Sequence, residues 1–267
     1  MTIDSLRAKR INQAGWDLRV GKGDRWTRPV GPEVIARARR GDWSVVLTPV
    51  KAVPTEWFGE IAGLRVLCLA SGGGQQGPIL AAAGAQVTVF DVSERQLAQD
   101  RGVAERDGLA LATRQGFMDD LGCFDDGHFD LVFNPVSNLY APDVLPIWRE
   151  CFRVLKPGGI LLAGFMNPTV YVFDPEAEDR GEMVARFRLP YADLKDLSQS
   201  ELDEALAQRH TVEFSHSLDS QIGGQLQAGF VLLNLYEDRH PGRLISEYFP
   251  VAIATRAMKP RQLPSAG

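Results

Sequence analysis

From residue 64 to residue 165, short apolar runs alternate with stretches whose apolar residues return at helical spacing. Leu64 to Ala70 is a short apolar run ahead of a glycine cluster, the pattern of a parallel strand buried on both faces. Gln75 to Ala83 reads as a small-residue helix ended by Gly84, and Gln86 to Asp91 as the next strand. Ser93-x-x-Gln96 has the form of a capping box, which predicts a helix to about Gly108. Leu109 to Arg114 and Phe129 to Asn134 supply a third and fourth strand, and Asp143 to Leu155 a helix. Pro157-Gly158-Gly159 turns into a fifth strand, Ile160 to Phe165. Strands recurring with helices between them predict a parallel sheet with right-handed crossovers.

On either side the period weakens. Asn167-Pro168 and Asp174-Pro175 mark loops, Met183 to Leu189 reads as an extra strand, and Ser198-x-x-Glu201 caps a helix reaching Gln208. Gln221 to Ala228 is a helix closed by Gly229. Phe230 to Tyr236 and Tyr248 to Arg256, around the Pro241-Gly242 turn, predict an antiparallel pair. Residues 1–60 hold Trp16, Trp26, Trp43 and Trp57, and a short helix that starts at Gly31-Pro32-Glu33 and stops at Gly41.

Composition narrows the class without changing this outline. With 45% hydrophobic residues in 267, the chain buries a full core without a disulfide or metal staple. Cys68, Cys123 and Cys151 are odd in number and widely spaced, which predicts reduced thiols and a cytoplasmic protein. The polar N-terminus has no signal-peptide core, and no apolar run approaches the roughly 18 residues that span a bilayer. A net charge of −5 argues against nucleic acid as the main partner, and Arg37, Arg39 and Arg40 read as a solvated helix face. No His/Asp/Glu cluster has ligand spacing, so no metal is expected. Oligomeric state leaves no trace in the pattern.

The chemistry concentrates in residues 65–93. Gly72, Gly73, Gly74 and Gly77 lie between a strand and a helix, where a backbone without Cβ atoms turns sharply and lets a ligand approach. Asp91 closes the next strand, placed to accept hydrogen bonds from both hydroxyls of a ribose. Together they indicate an adenosine-containing ligand. Gly72-x-Gly74-x-x-Gly77 also matches the dinucleotide fingerprint, and Tyr191 and Lys195 give a Tyr-x-x-x-Lys pair, so an NAD(P)-dependent oxidoreductase is the alternative. The region after 165 does not have the look of a second catalytic domain.

The run from Val66 to Gly74, then VTVFDVS, FDLVF and FRVLKPGG, resembles the class I S-adenosylmethionine (SAM)-dependent methyltransferases. Within them it is similar to the bacterial ubiquinone/menaquinone-biosynthesis type. The resemblance covers about residues 60 to 165 well and the tail from Gln221 to Arg256 loosely. It implies a Rossmann-like α/β fold: a seven-stranded, mostly parallel sheet with helices on both faces and an antiparallel hairpin at the C-terminal edge. Residues 1–60 then form an N-terminal helical cap, and 61–258 a SAM-binding domain with an insertion at about 166–210. By resemblance, Ala70, Ser71, Gly72, Gly73 and Gly74 wrap the methionine part of SAM, and Asp91 holds the ribose with Val92 against the adenine. Gly116, Phe117 and Met118 close over the adenine, and Asn134, Pro135 and Val136 border the methyl group. The chain departs from the family at Cys68, usually an acid, at Ala70, usually a glycine, and at Phe117, often an Asp. Gln75 is a candidate for a missing polar contact.

The expected activity is methylation of a small-molecule acceptor, without metal, nucleic acid or membrane. A catalytically inactive SAM-binding protein is the other alternative, which the departures at Cys68, Ala70 and Phe117 keep open. An alcohol or phenol acceptor requires a base. His216, in a polar stretch near the cap, and Tyr140, past the 134–138 loop, are the candidate catalytic residues.

Overall fold

The architecture is that of a computed structural model, which describes residues 3–261. Five parallel strands, β1 (Arg65–Leu69), β2 (Gln86–Asp91), β3 (Leu111–Gln115), β4 (Phe129–Asn134) and β5 (Leu155–Met166), are followed by β6 (Val231–Asp238) and β7 (Ala252–Met258). They form one sheet in the order β3-β2-β1-β4-β5-β7-β6, in which β7 runs antiparallel to both of its neighbours. The Rossmann-like fold and its reversed C-terminal strand are thus present.

Alternation along the strands divides the core into two layers. Val66 and Cys68 of β1 point to one face, where Ile79 and Leu80 of the helix Gln76–Ala82 and Leu97 of the helix Glu94–Asp107 cover them. Leu67 and Leu69 point to the other, beneath Ile147, Trp148 and Cys151 of the helix Leu145–Val154. A fully buried Leu or Val contributes about 1.5–3 kcal/mol, so the four residues from Val66 to Leu69 alone pin β1 at the centre.

In chain order the α-helices of the described residues are α1 (Ile3–Lys22), α2 (Pro32–Ala38), α3 (Gln76–Ala82), α4 (Glu94–Asp107), α5 (Leu145–Val154), α6 (Pro175–Asp179), α7 (Asp193–Asp196), α8 (Gln199–Arg209), α9 (Gly224–Gln227) and α10 (Ile245–Tyr248). Ser93 caps α4 through the Gln96 N–H, and Ser198 with Glu201 forms a reciprocal capping box on α8. No helix among the described residues is long and apolar enough to cross a membrane.

Several elements differ from the sequence expectation. Met183 to Leu189 is not a strand: its one ladder contact is the isolated Phe173–Ala185 bridge, and Val184 and Leu189 stay exposed because no sheet edge lies beside them. Residues 157–159 do not precede β5 but lie within it, as a register irregularity opposite Phe129 to Leu131. The 20-residue helix α1 has no predicted counterpart. It is polar nearly all round, and its buried positions are Ala8, Lys9, Asn12 and Gly15. Gly15 is there for closeness, since a Cβ would lie 1.9 Å from the His210 carbonyl oxygen.

Candidate functional site

A cavity of about 710 Å³ opens at the C-terminal ends of the parallel strands. Ala70, Asp91, Gly116, Pro135 and Met166, each at or just past the end of a different parallel strand, all line it, as ligand sites of open α/β sheets do. Beyond the strand ends, α1 forms one wall and residues 170–213 another.

The floor is built by backbone hydrogen bonds. Asp91 accepts from the Gly72 N–H through Oδ2 and from the Ser93 N–H through Oδ1, both at 2.9 Å, which leaves lone pairs on each oxygen for ligand hydroxyls. Burial pushes its pKa up to about 6, against the lowering effect of those donors. A Cβ on Gly72 would lie 2.7 Å from the Cβ of Gln96 and 3.0 Å from Asp91 Oδ2. One residue on, the Gly73 N–H donates to Asp100 Oδ2 at 2.9 Å. Asp100 is fully buried, and burial raises its pKa to about 7. Where β1 carries Cys68 in place of the family's acid, α4 therefore supplies a carboxylate from beneath the loop. Ala70 holds φ of +48°, the left-handed conformation for which the family's glycine is suited.

The structure brings most of the expected cofactor residues to this cavity: Ala70, Ser71, Gly72, Gln75, Asp91 and Val92 on one side, and Gly116, Phe117, Met118, Pro135 and Val136 on the other. Three expected residues do not line it. Gly73 and Gly74 instead receive the N-terminal segment: a Cβ on Gly73 would lie 2.7 Å from the Trp26 carbonyl, and Gly74 O accepts from the Val30 N–H at 2.9 Å. Asn134 is fully buried and donates to Leu69 O and Ser137 Oγ, both at 2.9 Å, so it ties β4 to β1. Gln75 spends its amide N–H groups on Arg25 O and Arg28 O at 2.8 and 2.9 Å, which holds the N-terminal segment against the loop.

His216 stands outside the cavity lining. Its Nε2 lies 3.2 and 3.0 Å from the carbonyls of Asn138 and Ala141, so this nitrogen carries the proton and braces the turn that bears Tyr140. Burial lowers its pKa, and the imidazole is neutral with Nε2 engaged. Tyr140 does line the cavity. It accepts from Arg19 at 3.4 Å, stacks edge-on against Trp16 with centroids 5.3 Å apart, and burial pushes its phenol up to about 12. A phenol so raised stays protonated at neutral pH, and without a carboxylate bound to its hydroxyl it has nowhere to pass its own proton and does not act as a base.

Sequence reading missed the side chains that long-range packing delivers. Lys9 and Asn12 of α1 reach the cavity, Lys9 bound to Asp119 at 2.6 Å and lying 4.8 Å over the Phe117 ring. Asn12 exchanges hydrogen bonds with Val212 and donates to Tyr140 O. Tyr171, Phe187, Tyr191, Arg209 and Glu213 arrive from residues 171–213, which follow β5. Their signal in the sequence was an aromatic and charged texture without period.

The residues present suit an adenosyl group. Ser71 Oγ and Gln96 Oε1 are buried without a hydrogen-bond partner, on residues that line the cavity beside Asp91. Buried polar atoms need partners, and a ligand's polar edge supplies them. Val92, Phe117 and Met118 provide apolar faces for a purine. Among the described residues, no group of three or more His, Cys, Asp and Glu is placed to hold a metal ion.

Comparison with known proteins shows the family. Residues 67–163 match the family model described as a methyltransferase domain. Over 248 residues the chain is 49% identical to a Bacillus subtilis (strain 168) protein called uncharacterized methyltransferase YbaJ, covering 93% of this chain and 97% of that one. In fold it is similar to a SAM-dependent methyltransferase from Mesorhizobium loti, with TM-score 0.60 and 19% identity over 76% of this chain and 94% of that one. It is also similar to Burkholderia thailandensis 1,6-didemethyltoxoflavin-N1-methyltransferase, solved with that compound and S-adenosylhomocysteine, with TM-score 0.59 and 12% identity. That likeness spans 96% of this chain and 90% of the other.

Proposed function

This chain belongs to the class I SAM-dependent methyltransferases, and from that premise we propose that it methylates a small, partly hydrophobic acceptor held between the strand ends and the insertion. SAM supplies a methyl group already activated on a sulfonium. The chain's task is to align the acceptor in line with that group at about 3 Å and to exclude water. One observation carries the reading: the pocket that begins at Asp91 and Ser71 continues without a break to Tyr171 and Tyr191.

In this reading Asp91 holds the ribose hydroxyls, Gly72 lets the ligand approach, and Val92, Phe117 and Met118 enclose the adenine. Ser71 and Gln96 meet polar groups nearby, and Pro135, Val136 and Tyr140 border the reacting centre. Residues 1–60 act as a cap whose α1 closes one wall, and about 166–210 form the acceptor wall. His216 keeps the Tyr140 turn in place. A cytoplasmic location is supported by three free cysteines, two of them buried. Isothermal calorimetry with S-adenosylhomocysteine and with NADH tests the reading: tight binding of the first is expected, and binding of NADH alone would refute it.

A further inference from the structure

The insertion side of the cavity has a wall of stacked aromatics ending in a hydrogen-bonded phenol–carboxylate pair. Tyr171 and Tyr191 stack with centroids 5.6 Å apart and planes 22° from parallel, and Phe187 meets Tyr191 at 4.8 Å. Tyr171 donates its hydroxyl hydrogen to Glu213 Oε2 at 3.1 Å, and both residues line the cavity. Glu213 is fixed from behind: its N–H donates to Asp193 Oδ2 at 2.8 Å, and Arg209 spans Asp193 at 2.9 Å and Glu213 at 3.3 Å. Tyr140, at the cofactor end, lies within electrostatic reach of both Tyr171 and Glu213. Among the described residues, no histidine lines this cavity.

We propose that Tyr171 and Glu213 form the proton-accepting pair of the reaction, and that the acceptor is a planar molecule with a transferable O–H or N–H proton. The inference rests on the reading of the strand ends as the cofactor site. The acceptor stacks on the Tyr171–Tyr191 wall with its O–H or N–H toward Tyr171 Oη. As the acceptor atom's lone pair forms the new bond to carbon, the sulfur–methyl bond breaks and sulfur keeps that pair. The acceptor's proton passes to Tyr171 Oη while the Tyr171 proton passes to Glu213 Oε2, and Glu213 later releases it to water. Tyr171 stays a neutral phenol before and after, in keeping with the burial and the Glu213 charge that raise its pKa. The other charged and titratable groups facing the pair are Arg209, Asp193 and Tyr191 from the insertion, with Tyr140 and Arg19 from the α1 side. A thiolate acceptor needs no such pair.

Three measurements on the full chain test this. With S-adenosylhomocysteine bound, calorimetric affinity for 4-nitrophenol and benzimidazole is expected to fall about tenfold in Tyr171→Phe and in Glu213→Gln, the scale of a charge-assisted hydrogen bond. Ultraviolet titration of tyrosinate is expected to show tyrosines ionising at lower pH in Glu213→Gln, a change that shrinks to the weaker shifts of Tyr140 and Tyr191 when Tyr171→Phe is added. Methylation of catechol and benzimidazole is expected to slow by about 10²–10⁴-fold in both variants, with S-adenosylhomocysteine affinity unchanged. Unaltered probe affinity and turnover in both variants would overturn the pair. Methylation of thiophenol with none of any protic probe would overturn the acceptor class. If the unaltered chain does not bind S-adenosylhomocysteine, the cofactor reading falls, and the proton-accepting pair falls with it.

Discussion

The two ends of the cavity are held by different kinds of bond. At the strand ends, position is set by main-chain geometry: Asp91 and Asp100 accept backbone N–H groups of the glycine loop, and Gly116 N–H donates to Asp91 O at 3.0 Å. At the opposite wall, in the segment after β5, position is set by side chains. Arg209 bridges Asp193 and Glu213, Arg186 bridges Asp174 and Glu201, and Arg243 holds Glu178. Backbone geometry is common to every residue type and tolerates sequence change around it. Side-chain ion pairs vanish with one substitution and are re-made by another. In the function proposed above, the methyl donor lies against the first kind of wall and the acceptor against the second.

The largest effect is expected from the strand ends. Gly72→Val forces atoms into Gln96 and Asp91 and fills the ligand's approach, so S-adenosylhomocysteine affinity measured by calorimetry should drop at least about 100-fold, or ~2.7 kcal/mol. Asp91→Ala should weaken the same binding by about 1.5–3 kcal/mol. An unchanged affinity would place the ribose elsewhere.

The pH dependence sharpens the same point. The Asp91 pKa of about 6 belongs to the ligand-free chain, and ribose hydroxyls favour the carboxylate. Affinity should therefore hold above pH 6 and fall up to about tenfold per unit below it, a dependence that Asp91→Asn should abolish. Chain stability runs the other way. Asp91 and Asp100 have folded-state pKa values raised above their unfolded ones, so their contribution is full below about pH 4 and is lost as pH rises through 6 and 7. Urea unfolding across that range measures it.

At the other wall, Asn12→Ala strands the Val212 N–H and two carbonyls that Asn12 now satisfies. A loss of about 1–3 kcal/mol in unfolding free energy is expected, with α1 loosening while calorimetric binding of S-adenosylhomocysteine falls less than in Asp91→Ala. If binding falls further, α1 belongs to the cofactor end instead. The smallest effect is a gain. Ala70→Gly removes left-handed strain of roughly 1–2 kcal/mol, partly offset by the greater freedom of glycine in the unfolded chain, so stability should rise by up to about 1 kcal/mol.

The strand-end part of the cavity was legible because its signals are local. Gly72, Asp91 and the residues of β1 and β2 lie close in sequence, and their strand periods and turn chemistry can be read in a short window. Gly73, Gly74 and Asn134 carry the same local signature as their neighbours, yet they bind protein where Gly72 and Pro135 face the cavity. Nothing in the local pattern distinguishes a glycine that admits a ligand from one that admits Trp26. The polar residues around His216 in sequence suggest a base, yet its partners are the Asn138 and Ala141 carbonyls, far away in the chain.

The chain by itself determined the sheet, its crossovers and the acid at the end of β2, because alternation, helical spacing and the special conformations of glycine and proline act between near neighbours. Only the tertiary structure decided that Asp100 supports the loop in place of an acid in β1, that the polar helix α1 walls the cavity, and that Tyr171 meets Glu213. Those pairings join segments with no shared period, and they exist only after the sheet has buried its faces and fixed the distances between the loops it carries.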